Sequence, residues 1–312
     1  MKQVSKAVAA GAASVSAANE SADPGLQRPG RALLGWMHTE AAILVLNSNQ
    51  QTPGTPEQRE IVRHCFSSVA SRDDGVDQDG VIEDAPAELE GYVEDLRRNS
   101  AALVYFAQGF EVKVAHIDRI CGFQPVIFTD SASSRVGTHD PNDLVGIAEV
   151  SLPRTHPQAI RAQFDPLRRS WIIASANPNL RVLTQVALRV SNASDGSLRL
   201  DENGVPVLGF AVAIGESFMQ VGRFQDRYYL RDGYHRALGF LLQGITRVPV
   251  FVRDVLVTEN LAPVGMLPEQ SYLGTKPPQL SDYLDDDVSR DVTLPASQKL
   301  IVIEGLELLL AS

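Results

Sequence analysis

The spacing of apolar positions changes along the chain and divides it into segments. In the stretch from residue 32 to residue 108, apolar positions such as Ile61, Cys65 and Val69 recur at intervals of four, which predicts helices with one buried face. From Phe110 onward, apolar and polar residues alternate in short runs between turn signals, which predicts strands. After Val255 the sequence is rich in proline and then in acidic residues.

These patterns predict an α+β protein with four segments: a disordered Ala/Ser-rich tail at 1–31, a helical region at 32–108, a mixed α/β domain at 109–256, and a Pro-rich, acidic C-terminal extension at 257–312. The extension is expected to be mostly irregular and to close on a short hairpin or a docked strand. The start of one helix is marked by Thr55 as N-cap, Pro56 in the first turn and Gln58 as the capping-box partner.

The central segment contains a stretch that reads as a strand, a turn, a helix and a second strand, from Tyr228 to Val252. A right-handed β-α-β crossover is the expected closure of such a unit. Gly244 marks the end of the helix, and the apolar run from Val248 predicts a buried strand. Upstream, Asn203-Gly204 predicts the turn of a β-hairpin.

The turn of this unit, Asp232-Gly233-Tyr234-His235-Arg236, places two basic side chains where the helix dipole disfavours cations. One interpretation is that Asp232 caps the helix and His235 is neutral. In the other, the free backbone N–H groups, His235 and Arg236 together bind an anion such as phosphate. Because an Asp232 cap leaves Arg236 unexplained, the anion interpretation is favoured.

Composition adds the following limits. The chain has 312 residues, 44% of them hydrophobic, which is enough for a sizeable core. It has no apolar run near the ~18–20 residues that span a bilayer. The two cysteines, Cys65 and Cys121, form no disulfide framework, which fits a reducing compartment, so a cytoplasmic protein without membrane contact is predicted.

The net charge of −10 belongs to the two ends of the chain. Residues 1–108 carry 9 Lys and Arg against 15 Asp and Glu, and residues 257–312 carry 3 against 9. Residues 109–256 carry 16 against 14, and fifteen of those cations are Arg, a side chain suited to phosphate and carboxylate groups. The acidic ends disfavour DNA as a partner, because DNA binding requires a cationic face.

The segment "GRFQDRYYLRDGYHRALGFLLQGITRVPVFV" resembles the second signature block of the ParB/sulfiredoxin-like superfamily, and "VKVAHIDRICGFQPVIF" is similar to the first. The resemblance implies a ParB/sulfiredoxin-like mixed-sheet domain at 109–256 of the ParB-like nuclease type, with a β-rich insertion between the two blocks. Tyr234 stands where sulfiredoxins have their reducing Cys, which excludes that chemistry. The turn is most similar to the D-G-x-H-R branch, which includes free-serine kinases.

By this resemblance, the protein would bind a nucleotide or phosphorylated small molecule and act as an ATP-dependent phosphotransferase or nucleotide hydrolase. Gly233, Tyr234, His235, Arg236 and Gln124 would bind the phosphates of a nucleoside triphosphate. Asp232 and His235 would be catalytic, with Asp232 also a Mg²⁺ ligand. The alternative is a non-catalytic module of the ParB-like type that binds nucleic acid or protein, or a nuclease.

Two further groups are candidates for the same cleft. Asp130 and the following Ser131–Arg135 are expected to form either a polar phosphate loop or a surface turn. His116 and Asp118 are two residues apart on a predicted strand and would therefore share one of its faces, either in the cleft or at a strand end.

Overall fold

A computed structural model of the chain describes residues 27–154, 160–167, 170–175, 180–192, 198–200, 202–214, 217–261, 265–295 and 299–304. Within these ranges the protein is α+β, as predicted. The helices are α1 (Thr39–Leu46), α2 (Pro56–Ala70), α3 (Glu90–Leu96), α4 (Ser100–Ala107), α5 (Thr129–Val136), α6 (Leu144–Ser151), α7 (Tyr234–Leu241) and α8 (Glu269–Tyr272).

The strands are β1 (Gln27–Ala32), β2 (Ile82–Asp84), β3 (Glu111–His116), β4 (Val126–Phe128), β5 (Arg161–Asp165), β6 (Ser170–Ser175), β7 (Leu180–Asn192), β8 (Leu198–Leu200), β9 (Val205–Ile214), β10 (Gln220–Phe224), β11 (Arg227–Asp232), β12 (Arg247–Asp254), β13 (Arg290–Pro295) and β14 (Lys299–Glu304). Short 3₁₀ helices connect several of them. The chain divides into two compact units, Met1–Thr155 with Ser217–Ala296, and His156–Glu216 with Ser297–Ser312.

The larger unit is built on a five-stranded sheet in the order β11-β10-β12-β3-β2. Its central strand, β12, is parallel to β10 and antiparallel to β3. Residues Val248 to Phe251 of β12 are buried, which confirms the buried strand that the sequence predicts here.

The predicted β-α-β crossover has a different topology from the one expected. Strand β10 lies between β11 and β12, and because it is antiparallel to β11 and parallel to β12, the two strands that flank α7 run in opposite directions. The parallel pair is therefore β10 and β12, and its connection consists of β11 and α7 together. The sequence pattern identified both strands and the helix but not the strand that lies between them.

The second sheet of the larger unit has the order β13-β1-β4 and pairs the first described strand of the chain with a strand of the C-terminal extension. Residues 27–31, placed in the disordered tail by the sequence, belong to strand β1; residues 1–26 lie outside the described ranges. The C-terminal extension, expected to be mostly irregular, supplies β13 to this sheet. The extension therefore completes the fold of the larger unit.

The predicted helical region at 32–108 contains α1 to α4 and also strand β2, which pairs with β3 and so ties the region to the main sheet. Helix α2 begins as the sequence predicts. The Thr55 side chain accepts a hydrogen bond from the Gln58 N–H, and the Gln58 side chain accepts one from the Thr55 N–H.

The smaller unit contains a β-rich segment and forms two three-stranded sheets, β14-β6-β5 and β8-β7-β9. The hairpin predicted at Asn203-Gly204 differs from the structure, because the strands on either side of this turn, β8 and β9, both pair with β7 and not with each other. The docked C-terminal strand is β14, which pairs with β6. In the described ranges no helix is both long enough and apolar enough to cross a membrane.

Helix α7 lies in the core of the larger unit, and seven of its eight residues are buried. It packs closely on α5, where a side chain at Gly239 would put its Cβ 2.5 Å from the Ala132 carbonyl oxygen and 2.6 Å from Val136 Cγ2. The predicted end of the helix is confirmed, since Gly244 has a φ of +73° just after it.

We expect Gly239→Ala to lower the free energy of unfolding by about 1–3 kcal/mol, because the added methyl group collides with the α5 backbone. The matched control is Gly91→Ala in α3, where a Cβ meets no atom within 4 Å. The control should be neutral or stabilising by up to about 1 kcal/mol, since alanine favours the helix. Urea unfolding of both variants measures the difference, and equal effects would contradict the close packing of α7 on α5.

Candidate functional site

The turn that precedes α7 is shaped by Gly233, which has a φ of +105° and serves as the N-cap of the helix. A Cβ at this position would lie 2.5 Å from Met219 Cγ, so the backbone conformation and the space both require glycine. No side chain in the described ranges caps the helix. The Asp232 carboxylate instead accepts a hydrogen bond from Ser217 Oγ at 3.2 Å, so the interpretation of Asp232 as the cap is wrong.

Arg236 is directed into the protein, and the residue is 6% exposed. Its guanidinium donates hydrogen bonds to the carbonyl oxygens of Val150 at 3.1 Å, Ser151 at 3.3 Å and Ser217 at 2.5 Å. It also donates to Ser217 Oγ at 2.8 Å. Val150 and Ser151 end helix α6, whose last carbonyls have no partner within the helix and carry its negative dipole.

Arg236 therefore interacts with the C-terminus of another helix rather than with an open anion site. Burial lowers the pKa of Arg236 to about 10, and the charge of Asp232 acts against this shift. The guanidinium remains charged at neutral pH. Its predicted role in phosphate binding stays a prediction, and the geometry assigns it to the support of the turn.

Unlike the guanidinium of Arg236, the buried Nε2 atom of His235 has no hydrogen-bond partner in the described part of the chain. Its ring stacks on Phe128, with the centroids 6.3 Å apart and an angle of 10° between the planes. Burial lowers the pKa of His235 to about 4, and the charges of Arg135 and Arg28 act in the same direction. His235 is therefore a neutral imidazole near positive charge, and one of its ring nitrogens bonds no described residue.

The arginines around His235 differ in how their charges are balanced. Arg28 binds Asp130 through two hydrogen bonds, of 2.9 and 2.7 Å, and its guanidinium lies over the Phe128 ring, 4.3 Å from the centroid. Arg135 is an exposed residue in the last turn of α5 and makes no ion pair with a described carboxylate. Partial desolvation of its guanidinium lowers its pKa, and the charge of Asp232 acts the other way. Among the arginines around His235, Arg135 therefore carries the charge that no described ion pair balances.

The remaining predicted phosphate-binding side chains have other partners. Tyr234 is buried; its hydroxyl donates to the Leu230 carbonyl oxygen at 2.6 Å and accepts from the Phe123 N–H at 3.0 Å. The side chain of Gln124 donates to the Val126 carbonyl oxygen at 2.7 Å. Gly233 and Tyr234 could therefore contact a phosphate only through their backbone N–H groups.

Asp232 is a poor fit to the predicted Mg²⁺ ligand. Burial lowers the pKa of both Arg236 and Arg231, and the negative charge of Asp232 partly offsets the shift in each case. A divalent cation at this carboxylate would face the same guanidinium groups. The described residues also contain no group of three or more His, Cys, Asp or Glu side chains that could hold a metal ion.

The sequence predicted the charged side chains around His235 only in part. It placed Asp130 and Arg135 in a phosphate loop or a surface turn, whereas they lie in helix α5, near His235. Arg28 was missed because it lies in a segment whose composition resembles a disordered tail. The sequence from Gln27 to Ala32, QRPGRA, has no alternation of apolar and polar residues that would mark it as a strand.

The other candidates lie apart from this cluster. His116 ends β3 and interacts with Glu83 at 2.5 Å, whereas Asp118 lies in a 3₁₀ helix, so the two do not share a strand face. Burial raises the pKa of Cys121 to about 12, and both cysteines are buried and free, so neither is a ready nucleophile.

Comparison of the chain with protein-family models, with curated proteins and with solved structures gave no match. The functional conclusion therefore rests on the geometry of the turn and on the chemistry of the residues that surround it.

We expect Arg236→Gln to lower the free energy of unfolding by about 3–5 kcal/mol, because it removes a buried cation that binds several carbonyl oxygens and balances Asp232. The control is Arg63→Gln, since the Arg63 side chain is 72% exposed and, among the described residues, pairs only with Glu60. That change should cost less than about 1 kcal/mol. Urea unfolding distinguishes them, and a loss in Arg236→Gln no larger than in the control would refute the supporting role.

The low pKa of His235 predicts a pH dependence of stability. Between pH 6.5 and 4 the unfolded chain binds a proton at this residue and the folded chain does not, so stability falls as the pH is lowered through this range. The loss is up to about 3 kcal/mol and should be missing in His235→Gln. Unfolding free energies of both proteins across this pH range measure it, and identical pH profiles would show that His235 is not held neutral.

Proposed function

We propose that the turn at Gly233 binds the phosphate group of a nucleotide or of a phosphorylated small molecule. The observation that carries this proposal is the Nε2 atom of His235, which has no hydrogen-bond partner among the described residues. It lies among arginine charges at the N-terminus of α7, which no described side chain caps. A phosphate could accept hydrogen bonds from the first backbone N–H groups of the helix and from the neutral imidazole.

The charges around the turn favour an anion over a cation. Arg28 is neutralised by Asp130, and Arg236 by Asp232 and by carbonyl oxygens. Arg135 is left without a described carboxylate partner. Its charge and the helix dipole attract an anion. Burial is the main cause of the low pKa of His235, and an anion placed there would relieve the arginine repulsion that adds to it.

The resemblance to the ParB/sulfiredoxin-like superfamily supports a nucleotide as the source of the phosphate, because this turn is the part of the chain that carries the resemblance. Phosphoryl transfer would also need a magnesium ligand, and the guanidinium groups around Asp232 make it unsuited to that role. The proposal is therefore phosphate binding without a metal ligand from Asp232. Recognition of nucleic acid is less favoured, since the net charge is −10.

We expect ATP, CTP or ADP, and at higher concentration inorganic sulfate, to raise the melting temperature of the protein without Mg²⁺. His235→Gln and Arg135→Gln should each weaken the response at least tenfold in ligand concentration, because each removes a group that contacts the anion. Differential scanning fluorimetry with isothermal titration calorimetry measures both effects.

Arg59→Gln is the matched control, since Arg59 is also an exposed helical arginine, and its one side-chain hydrogen bond within the described ranges is to the Gly54 carbonyl oxygen. It should respond as the unchanged protein does. If the full panel gives no stabilisation, or if both variants of the turn respond normally, the proposal fails. Stabilisation by nucleotides but not by sulfate would identify contacts to the base or ribose as the main source of affinity.

A further inference from the structure

Two arginines lie on the main sheet on either side of Gly222 in β10: Arg231 in β11 and Arg253 in β12. Gly222 is paired with Arg253 of β12, and residues paired in this way direct their side chains to the same face of the sheet. A Cβ at Gly222 would lie 2.9 Å from Arg231 Cδ, so the stem of Arg231 crosses that same face. The missing side chain at Gly222 thus allows the two arginines to approach one another.

Among the described residues, neither arginine has a counter-ion of its own. In the described ranges, Arg231 and Arg253 form no salt bridge, and the Nε atom of each is buried without a hydrogen-bond partner. By contrast, Arg223 of β10 pairs with Asp226 at 2.9 Å, and Arg247 of β12 pairs with Glu83 at 2.8 Å. Two guanidinium groups that share a surface without an acidic partner repel one another and together attract a doubly charged anion.

The surroundings of the pair include the Phe110 ring, the Tyr105 hydroxyl and one carboxylate, that of Asp232. The guanidinium of Arg253 lies over the Phe110 ring, 4.6 Å from its centroid, which fixes the side chain at the sheet surface. Burial lowers the pKa of Arg231, and the charge of Arg253 lowers it further. Asp232 and the Tyr105 hydroxyl act in the other direction. Asp232 is shared with Arg236 of the turn, so it does not neutralise both members of the pair.

We propose that Arg231 and Arg253 form a binding site for a tetrahedral dianion, a sulfate or the phosphate group of a monoester, separate from the turn at Gly233. The two guanidinium groups would donate hydrogen bonds to one anion from two sides, since the planar fork of each group matches the oxygens of an oxyanion. A dianion balances both charges, whereas a single carboxylate leaves one of them unbalanced. The site does not depend on phosphate binding at the turn.

Isothermal titration calorimetry with inorganic sulfate tests the site, because sulfate keeps its double charge across neutral pH. We expect Arg231→Gln and Arg253→Gln each to weaken one binding component at least tenfold, while the component lost in His235→Gln persists. Arg97→Gln is the matched control, since Arg97 also lies over a phenyl ring, 4.8 Å from the centroid of Phe106. It should leave both components unchanged.

Arg253→Glu keeps the test decisive if the glutamine variants are unstable. A glutamate here would give Arg231 an internal partner, so the variant should melt at a higher temperature than Arg253→Gln without sulfate and should lose the component altogether. The site is refuted if sulfate binding is unchanged in all three variants. It is also refuted if the only component observed is the one that His235→Gln and Arg135→Gln remove, a result that would leave the turn site intact.

Discussion

The larger unit depends on one buried guanidinium. Arg236, in the first turn of α7, binds the last carbonyl groups of α6 and the backbone and side chain of Ser217. The chain leaves the larger unit just after α6 and returns to it at Ser217. Arg236 therefore connects the residues that precede the β-rich segment with those that follow it. The Met219 N–H, which donates a hydrogen bond of 2.8 Å to the Ser151 carbonyl oxygen, connects the same two parts of the chain.

This interaction also explains how two basic residues can share the start of a helix. The dipole of α7 disfavours Arg236, but the dipole of α6 favours it, and Asp232 supplies a nearby negative charge. His235 avoids the conflict differently, since burial and the neighbouring arginines keep it neutral. Because Asp232 bonds Ser217 and does not cap the helix, the first N–H groups of α7 are left for another acceptor. The same arrangement that buries one cation thus prepares a place for an anion.

Much of the fold could be predicted from local pattern. The capping box at Thr55, the helix from Tyr234, its end before Gly244 and the buried strand from Val248 all depend on neighbours in sequence, and all are present. The placement of β10 between β11 and β12, and the pairing of β1 with β13, depend on contacts between distant segments that no local period encodes. A strand as short as Gln27–Ala32, next to an Ala/Ser-rich stretch, is easily absorbed into a predicted tail.

The site was predictable in position but not in the division of roles. The turn sequence showed that basic groups, free N–H groups and an acid meet there. Only the tertiary structure shows that Arg236 is directed toward α6, that Tyr234 bonds the backbone of the core, and that Arg135 from α5 supplies the unbalanced charge. Side chains that share a turn can point in opposite directions, so their spacing does not determine which of them a ligand would meet.

The most direct test of an anion site beside a neutral histidine is an NMR titration of the His235 ring, with and without sulfate. In sulfate-free buffer the pKa of His235 should be about 4. Sulfate should raise it, because an anion at the turn stabilises the charged imidazolium. A pKa near 6.5 that sulfate does not change would contradict both the buried, neutral state of His235 and the binding of an anion beside it.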